Sequence, residues 1–224
     1  APRPEPMSKH LPDWYKKTPA VIDNDQALQQ GHINATVKKC MPIFDLLTAG
    51  YAILSPCDIF IDATNPDNLV WSIPASLRSF QGDMFSSHAF EQYSNMPIDS
   101  SKYHKTLLRI FPFWAVATEK GYSTLFMQPV YMDNSPLVAM QAVVDTDSFV
   151  TDGHLSFLVE KNFKGTIKQG TPLVQIIPFK RDNWESEFVS VNEAEKRFAR
   201  QRLQLRSMFM HAYKNKFRSK KEYK

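Results

Sequence analysis

Short apolar stretches separated by turn residues dominate the middle of the chain. Between His32 and Cys40 apolar and polar positions alternate, which is the two-residue period of a half-buried strand. Many short strands joined by Pro, Asn and Asp turns favour a sandwich or barrel of antiparallel strands over parallel βαβ units. The predicted strands after residue 50 cover 51–54, 57–61, 69–73, 107–117, 122–130, 137–144, 154–159, 166–167 and 173–178, and Pro112 marks 107–117 as an edge or bent strand.

Three segments depart from the strand pattern and divide the chain. Residues 1–31 are rich in proline and lack a sustained period, so they are predicted to form an arm anchored by Trp14 and Tyr15. Residues 74–105 have poor periodicity and are predicted to be an insertion or lid within a strand domain that spans 32–184.

The C-terminal segment, 192–224, places its apolar residues near helical spacing. This pattern predicts an amphipathic helix that is basic on its outer face, with Asn192 as its cap and Glu195 completing a capping box. The apolar stripe of this helix is expected to pack on the body of the protein. It consists of Phe198, Leu205, Phe209, Ala212 and Phe217.

Composition and charge narrow the class of protein. The 15 Pro against 7 Gly favour stiff, extended connections over a helical bundle. Two cysteines are too few for a disulfide scaffold, and no stretch has the roughly 18 apolar residues of a membrane span, so a cytoplasmic protein without membrane contact is expected. The net charge of +4 arises after residue 191, where 11 Lys and Arg stand against 3 Glu. A generally basic DNA-coating domain would not have this distribution, so nucleic-acid contact through the tail is the least favoured interpretation.

Carboxylate and amide side chains in the apolar hairpins are candidates for chemistry. Asp145 and Asp147 lie two positions apart, so in a strand they share one face. They could hold a cation, divide acid and base roles, or cap the hairpin turn. Gln175 either holds the turn at Gly170 or contacts a ligand.

The histidines are weaker candidates, for a metal site. His88 lies four residues before Gln92, so the two face together only if that segment is helical. With His104 or His154, His88 could bind a metal, but no His-x-Asp or His-x-Glu pair accompanies them. The sequence identifies no cofactor.

Four short motifs, in order, resemble the dUTPase and dCTP deaminase superfamily. They are Ala-Gly-Tyr at 49–51, Lys-Gly-Tyr-Ser at 120–123, Val-Val-Asp-Thr-Asp at 143–147 and Gly-Thr-Pro-Leu-Val-Gln-Ile-Ile at 170–177. The resemblance implies a β-clip barrel in which a hairpin carrying an aspartate is followed by a glycine turn and a strand carrying a glutamine.

From about residue 36 to 184, the chain more closely resembles an uncharacterised family found in bacteria and in viruses of cyanobacteria. The likeness rests on Thr-Ala-Gly-Tyr at 48–51, the His and Gln segment, Gly-Tyr-Ser at 121–123, the 143–147 motif, and the GTP-x-x-Q-x-x-PFKR-x-x-W ending at 170–184. This resemblance implies a bacterial or bacteriophage protein, and it brings no established reaction with it.

The chain departs from the dUTPase pattern at the residues that triphosphate hydrolysis requires. Ala52 stands where the superfamily has a carboxylate that helps to hold magnesium, and no Arg lies beside Ser123 in the sequence. Ser148 stands where an aromatic ring against deoxyribose is expected, with Phe149 one position later. The resemblance therefore predicts the fold without the complete catalytic set, and it leaves open whether the protein is an enzyme.

Two functions fit these observations. In the first, a β-clip-like protein, expected to be a homo-oligomer, holds a small polar ligand between Gly121, Tyr122, Ser123 and the two aspartates, with His88 of the insertion beside them. In the second, a non-enzymatic virion structural or host-interaction protein assembles through its proline-rich arm and its basic C-terminal helix.

Overall fold

The structure is a computed structural model that describes residues 1–22, 35–132, 135–150, 155–207 and 213–224. Across these ranges the protein is mainly β, as the sequence predicts, with twelve strands in three antiparallel sheets. The described strands do not close into a barrel, and their arrangement is consistent with a β sandwich. None of the described helices is long and apolar enough to cross a membrane.

The strands divide unequally among the sheets. The five-stranded sheet has the order β1 (Glu5–Pro6), β2 (Tyr51–Leu54), β12 (Pro172–Lys180), β7 (Tyr122–Met127) and β9 (Ala142–Val144). The four-stranded sheet has the order β5 (Phe85–His88), β6 (Leu107–Ile110), β10 (Leu155–Val159) and β8 (Leu137–Ala139). The three-stranded sheet has the order β11 (Lys164–Ile167), β3 (Ile59–Asp62) and β4 (Val70–Ser72).

One hydrophobic core joins the three sheets. Ile53 and Val174 enter it from the five-stranded sheet, Ile110 and Phe157 from the four-stranded sheet, and Ile59 from the three-stranded sheet. All five side chains are at most 1% exposed. Burial of one such side chain stabilises a fold by about 1.5–3 kcal/mol, so this shared core holds the sheets together.

The strands β2 and β12 approach each other closely at Gly50. This glycine has a φ of 67°, and a Cβ atom placed on it would lie 1.8 Å from the carbonyl oxygen of Ile176. The amide of Met7 donates to the carbonyl of Gly50 at 3.0 Å, so the N-terminal strand is tied to the same point. Only glycine fits this position without moving a backbone segment.

The described residues form two compact units. The first contains residues 1–10 and 49–181 and therefore all twelve strands. It also contains α3 (Gln81–Met84) and 3₁₀ turns at Met7–His10, Ala75–Phe80 and Phe90–Gln92. The second contains residues 11–48 and 182–224, with α1 (Asp13–Lys17), a 3₁₀ turn (Val37–Lys39), α2 (Met41–Leu47), α4 (Val191–Ser207) and a π-helical turn (Tyr213–Phe217).

Within the second unit, the C-terminal residues are tied to α2 through Asp45. This carboxylate is 10% exposed and accepts from Nη2 of Arg218 at 2.6 Å and from Nζ of Lys221 at 3.1 Å. These donors, Arg218 foremost, lower the pKa of Asp45. The end of the chain is therefore held by a partly desolvated ion pair rather than left free.

The predicted boundaries are wrong in several places. Within the predicted strand 32–40, of which 32–34 lie outside the described residues, Ala35 forms an isolated bridge and Val37–Lys39 is a 3₁₀ turn. The hydroxyl of Thr36 caps that turn by accepting from the amide of Lys38, which explains the departure. The predicted strand 107–117 ends at Ile110, because Pro112 has no amide hydrogen to donate. This strand, β6, is an inner strand of its sheet and not the predicted edge strand.

Two predicted segments are also divided differently from expectation. The stretch 137–144 is two short strands in different sheets, β8 and β9. The 74–105 segment, predicted as an insertion or lid, supplies β5, which pairs with β6. In the predicted arm, β1 pairs with β2, and Tyr15 is 3% exposed and stacks near Phe44.

The predicted C-terminal helix exists, but its start and its packing differ from the prediction. It begins at Val191, and the hydroxyl of Ser190 accepts from the amide of Glu193 at 3.3 Å, so the cap is Ser190 and not Asn192. Phe198 is 54% exposed, although the apolar stripe of the helix was expected to pack on the body of the protein. The side chains at 205, 209 and 212 lie outside the described residues.

Candidate functional site

Four polar side chains meet at the start of β7, and we call them the carboxylate–guanidinium cluster: Ser123, Asp145, Asp147 and Arg181. Strand pairing brings them together. Ser123 lies opposite Phe179 of β12, two residues before Arg181. The next residue of β7, Thr124, lies opposite Val144 of β9, which directly precedes Asp145. Arg181 directly follows β12, and its amide donates to the carbonyl of Gly121 at 2.8 Å.

The guanidinium of Arg181 lies at the centre of the cluster. Its Nη1 donates to Oγ of Ser123 at 3.1 Å, to Oδ1 of Asp147 at 3.1 Å and to the carbonyl of Tyr122 at 3.0 Å. Its Nη2 donates to Oδ2 of Asp147, so the ion pair is bidentate. Asp145 completes the group, because Ser123 Oγ donates to its Oδ1 at 2.6 Å and Nη1 of Arg181 lies 3.2 Å from the same oxygen.

The two aspartates have different environments. The side chain of Asp147 is 5% exposed, and its Oδ2 also accepts from the amide of Gly121 at 2.8 Å. The Arg181 guanidinium, with help from the Gly121 amide, lowers the pKa of Asp147 to about 2. Asp147 is therefore an anion at neutral pH and has no proton to donate, whereas the side chain of Asp145 is 61% exposed to solvent.

The turn that carries both aspartates is anchored from the opposite side. Thr146, which is 0% exposed, forms hydroxyl–hydroxyl hydrogen bonds of 2.8 Å with Thr118 and with Thr124. The carbonyl of Asp145 accepts from the amides of Ser148 and Phe149, at 3.1 Å and 2.8 Å. These contacts fix the positions of the two carboxylates before any ligand arrives.

Apolar side chains continue the same face of the sheet next to the cluster. In the antiparallel pairing, Leu125 lies opposite Ile177 on one side and opposite Val143 on the other. These residues are two positions along their strands from the pair formed by Ser123 and Phe179, so they lie on the same face of the sheet. Val143 is 60% exposed and Phe179 is 41% exposed, whereas Leu125 and Ile177 are half-buried. We call these four side chains the apolar stripe.

The predicted ligand residues 121–123 lie at the cluster, but Gln175 does not join them. Gln175 is 0% exposed, its Nε2 donates to the carbonyl of Ala49 at 2.8 Å, and its Oε1 accepts from the amide of Val130 at 3.2 Å. Its amide therefore ties β12 to the backbone at Ala49 and at Val130, a structural role that differs from the predicted one at the Gly170 turn.

The predicted histidines do not approach the cluster either. His88 ends β5, and its Nδ1 is hydrogen-bonded to Oε1 of Gln92. His104 is 2% exposed, and both ring nitrogens are engaged: Nε2 with the carbonyl of Asn65 and Nδ1 with the amide of Thr106, each at 2.9 Å. His154 lies outside the described residues. Within the described ranges, no three His, Cys, Asp or Glu side chains are grouped to hold a metal ion.

Arg181 is the residue that the sequence did not identify as part of the site. The chain has no Arg next to Ser123 along the sequence, yet Arg181 lies beside it in space, 58 positions away. The available signals were its place shortly after the predicted strand 173–178 and its position within the 170–184 motif. Pairing partners are not visible in a single sequence, so these signals were not enough.

A polar groove of about 590 Å³ lies elsewhere in the first unit. Lys102, Lys161 and Glu160 line part of it, and Nζ of Lys161 donates to the carbonyl of Ser100 at 2.6 Å. None of the four cluster residues lines this groove, so the two regions are separate candidates for ligand contact.

Comparisons with family models, curated proteins and solved structures find no match to this chain. The function is therefore inferred from the geometry of the cluster and the apolar stripe.

Proposed function

We propose that this protein binds a small ligand at the carboxylate–guanidinium cluster and the adjoining apolar stripe. The ligand has an apolar or aromatic body, and its head group is cationic or carries hydroxyls that donate hydrogen bonds. The observation that carries the proposal is the position of Asp145: a carboxylate that is 61% exposed, follows exposed Val143 by two residues and is held by Ser123, which lies opposite exposed Phe179.

The charge of the cluster selects the head group. Two carboxylates surround one guanidinium, so one negative charge is left uncompensated within the cluster. Both terminal nitrogens of Arg181 donate hydrogen bonds to Asp147, so the exposed carboxylate acceptor of the cluster is on Asp145. A cationic or hydroxyl-bearing head group satisfies that acceptor, whereas a triphosphate would be repelled by it.

The apolar stripe accounts for the body of the ligand. A pocket for a small molecule combines apolar contact area with a few fixed polar groups. Within the stripe, the ring of Phe179 is 41% exposed and lies opposite Ser123, so a bound ring contacts it while the head group of the ligand reaches Asp145.

The proposed relation to β-clip proteins is supported by where the four motifs lie. The motif segments at 49–51, 170–177, 120–123 and 143–147 belong to β2, β12, β7 and β9 or adjoin them, and these are successive neighbours in one sheet. We propose a β-clip-like protein whose site has exchanged magnesium-dependent phosphate chemistry for binding, because Ala52 is buried and supplies no carboxylate.

A set of three probes with the same ring tests the head-group preference. Benzylamine, benzyl alcohol and benzoate present a cation, a hydroxyl and an anion on one aromatic body. Isothermal titration at neutral pH should show the tightest binding for benzylamine, weaker binding for benzyl alcohol and none for benzoate.

Two substitutions make the test specific. Asp145→Asn should weaken benzylamine binding by roughly tenfold, because the attraction to the charged head group is lost. Asp67→Asn is the matched control, since Asp67 is also exposed and also pairs with a basic side chain, Lys105, but lies outside the cluster. Equal binding of benzoate and benzylamine, or equal loss in both variants, would contradict the proposal.

A further inference from the structure

The segment that follows the strand domain carries its charges in two blocks of opposite sign. Residues 182–195 contain five carboxylates and no Lys or Arg, whereas residues 196–207 contain five basic residues and no Asp or Glu. The acidic block is Asp182, Glu185, Glu187, Glu193 and Glu195, and the basic block is Lys196, Arg197, Arg200, Arg202 and Arg206.

The two blocks cannot neutralise each other within one copy of the helix. The 17 residues of α4 include part of the acidic block and all of the basic block, and they extend for about 25 Å at 1.5 Å per residue. Along one helix only residues three or four positions apart can pair, as Glu193 and Arg197 do at 2.7 Å. Asp182, Glu185 and Glu187 precede the helix, and Glu195 has no basic residue three or four positions away.

Large apolar side chains are exposed along the same segment. Trp184 is 89% exposed and Phe188 is 97% exposed, both in the extended stretch before α4. On the helix, Val191 is 73% exposed and Phe198 is 54% exposed. Together with Ala194 these two form the i, i+3, i+7 spacing of a heptad seam. An exposed run of this kind marks an interaction surface.

We propose that α4 pairs in antiparallel orientation with α4 of a second copy of this chain. Antiparallel pairing sets the acidic block of each copy against the basic block of the other, whereas parallel pairing would set like charges together. If Val191 and Ala194 occupy positions a and d, then Glu195 and Arg202 occupy successive e positions, which face each other across an antiparallel pair.

The aromatic residues before the helix fit the same arrangement. Trp184 and Phe188 precede the acidic end of α4, so antiparallel pairing brings them to the arginine-rich end of the second helix, where a guanidinium can stack on a ring. Single-stranded nucleic acid is a poorer occupant, because the rings that would stack on bases lie among Asp182, Glu185 and Glu187.

Sedimentation velocity of the full chain over a range of concentrations tests the pairing. We expect a reversible dimer of twice 25.8 kDa, which weakens as sodium chloride is raised from about 50 mM to about 500 mM because the charge blocks are screened. Phe198→Asp should abolish the dimer, with circular dichroism confirming that the protein is still folded.

A charge-reversal set identifies the orientation. Glu195→Arg alone and Arg202→Glu alone should each weaken dimerisation by roughly tenfold. Each change places two like charges opposite each other, and the symmetry of the dimer repeats this pair twice. The double variant should return the dissociation constant to within about threefold of the wild type. Lys196→Glu is the control, since position f faces away from the seam.

Three results would overturn the proposal. The first is a monomer at every concentration, and the second is a dimer that Phe198→Asp leaves intact. The third is the absence of rescue in the double charge-reversal variant. Binding of a fluorescent single-stranded oligonucleotide by the monomer, lost in Arg202→Glu, would assign the segment to nucleic acid instead.

Discussion

The close approach of β2 to β12 makes the substitution Gly50→Ala a sensitive test of the fold that carries the site. Gly50 has a φ of 67°, and the left-handed conformation costs an L-residue about 1–2 kcal/mol. The added Cβ would also lie 1.8 Å from the carbonyl oxygen of Ile176, so one strand must shift, at a further cost of about 1–3 kcal/mol or more. We expect the free energy of unfolding to fall by about 2–5 kcal/mol.

Two other glycines separate conformational strain from the clash. Gly121 has a φ of 90°, but a Cβ placed there meets nothing within 4 Å, so Gly121→Ala should cost only the strain of about 1–2 kcal/mol. Gly82 lies in α3 with no positive φ and no atom within 4 Å of its Cβ, so Gly82→Ala should be neutral or stabilising by up to about 1 kcal/mol.

Urea unfolding followed by circular dichroism measures all three variants against the wild type. At roughly 2–4 °C per kcal/mol for a protein of this size, Gly50→Ala should lower the thermal midpoint by on the order of 10 °C. If Gly50→Ala and Gly121→Ala agree within about 0.5 kcal/mol, the packing of β2 on β12 described above is wrong.

Three further predictions concern hydrogen-bonded polar side chains of the first unit. The folded-state pKa of Asp147 is lowered to about 2, so its ionisation stabilises the fold above the unfolded value near 4 and ceases to do so as the pH falls towards 2. The stability difference between wild type and Asp147→Asn, measured by urea unfolding, should therefore be constant above about pH 5 and shrink below it; a difference independent of pH would contradict this. Thr146→Val removes two buried hydroxyl hydrogen bonds and should cost about 1–3 kcal/mol, whereas Thr166→Val on an exposed strand position should stay within about 0.5 kcal/mol. Gln175→Met leaves a carbonyl and an amide of the backbone without their buried partner and should cost about 2–4 kcal/mol by the same assay, and a cost under about 0.5 kcal/mol would refute its structural role.

The strand content of the fold was predictable because the sequence alternates locally. The prediction of 51–54 coincides with β2, and 173–178 falls within β12. Which strands pair was not predictable, since Ala52 lies opposite Gln175 across more than a hundred intervening residues. Local propensity carries no information about such distant pairs.

Part of the candidate site was predictable for the same local reason. Asp145, Asp147 and Ser123 were identified from polar residues within apolar hairpins, and the structure brings them together. The bridging role of Arg181 was not predictable, because it depends on the pairing of β12 with β7. The different exposure of the two aspartates also depends on tertiary contacts: Arg181 and the Gly121 amide cover Asp147 and leave Asp145 open.

Ligand binding at the carboxylate–guanidinium cluster is measured by titrating isotope-labelled protein with benzylamine and following its backbone amide resonances. We expect the largest chemical-shift changes at Ser123, Val143, Asp145 and Phe179, and we expect Asp145→Asn to remove them. Shift changes confined to the groove lined by Lys102 and Lys161, or no saturable change at any residue, would contradict binding at the cluster.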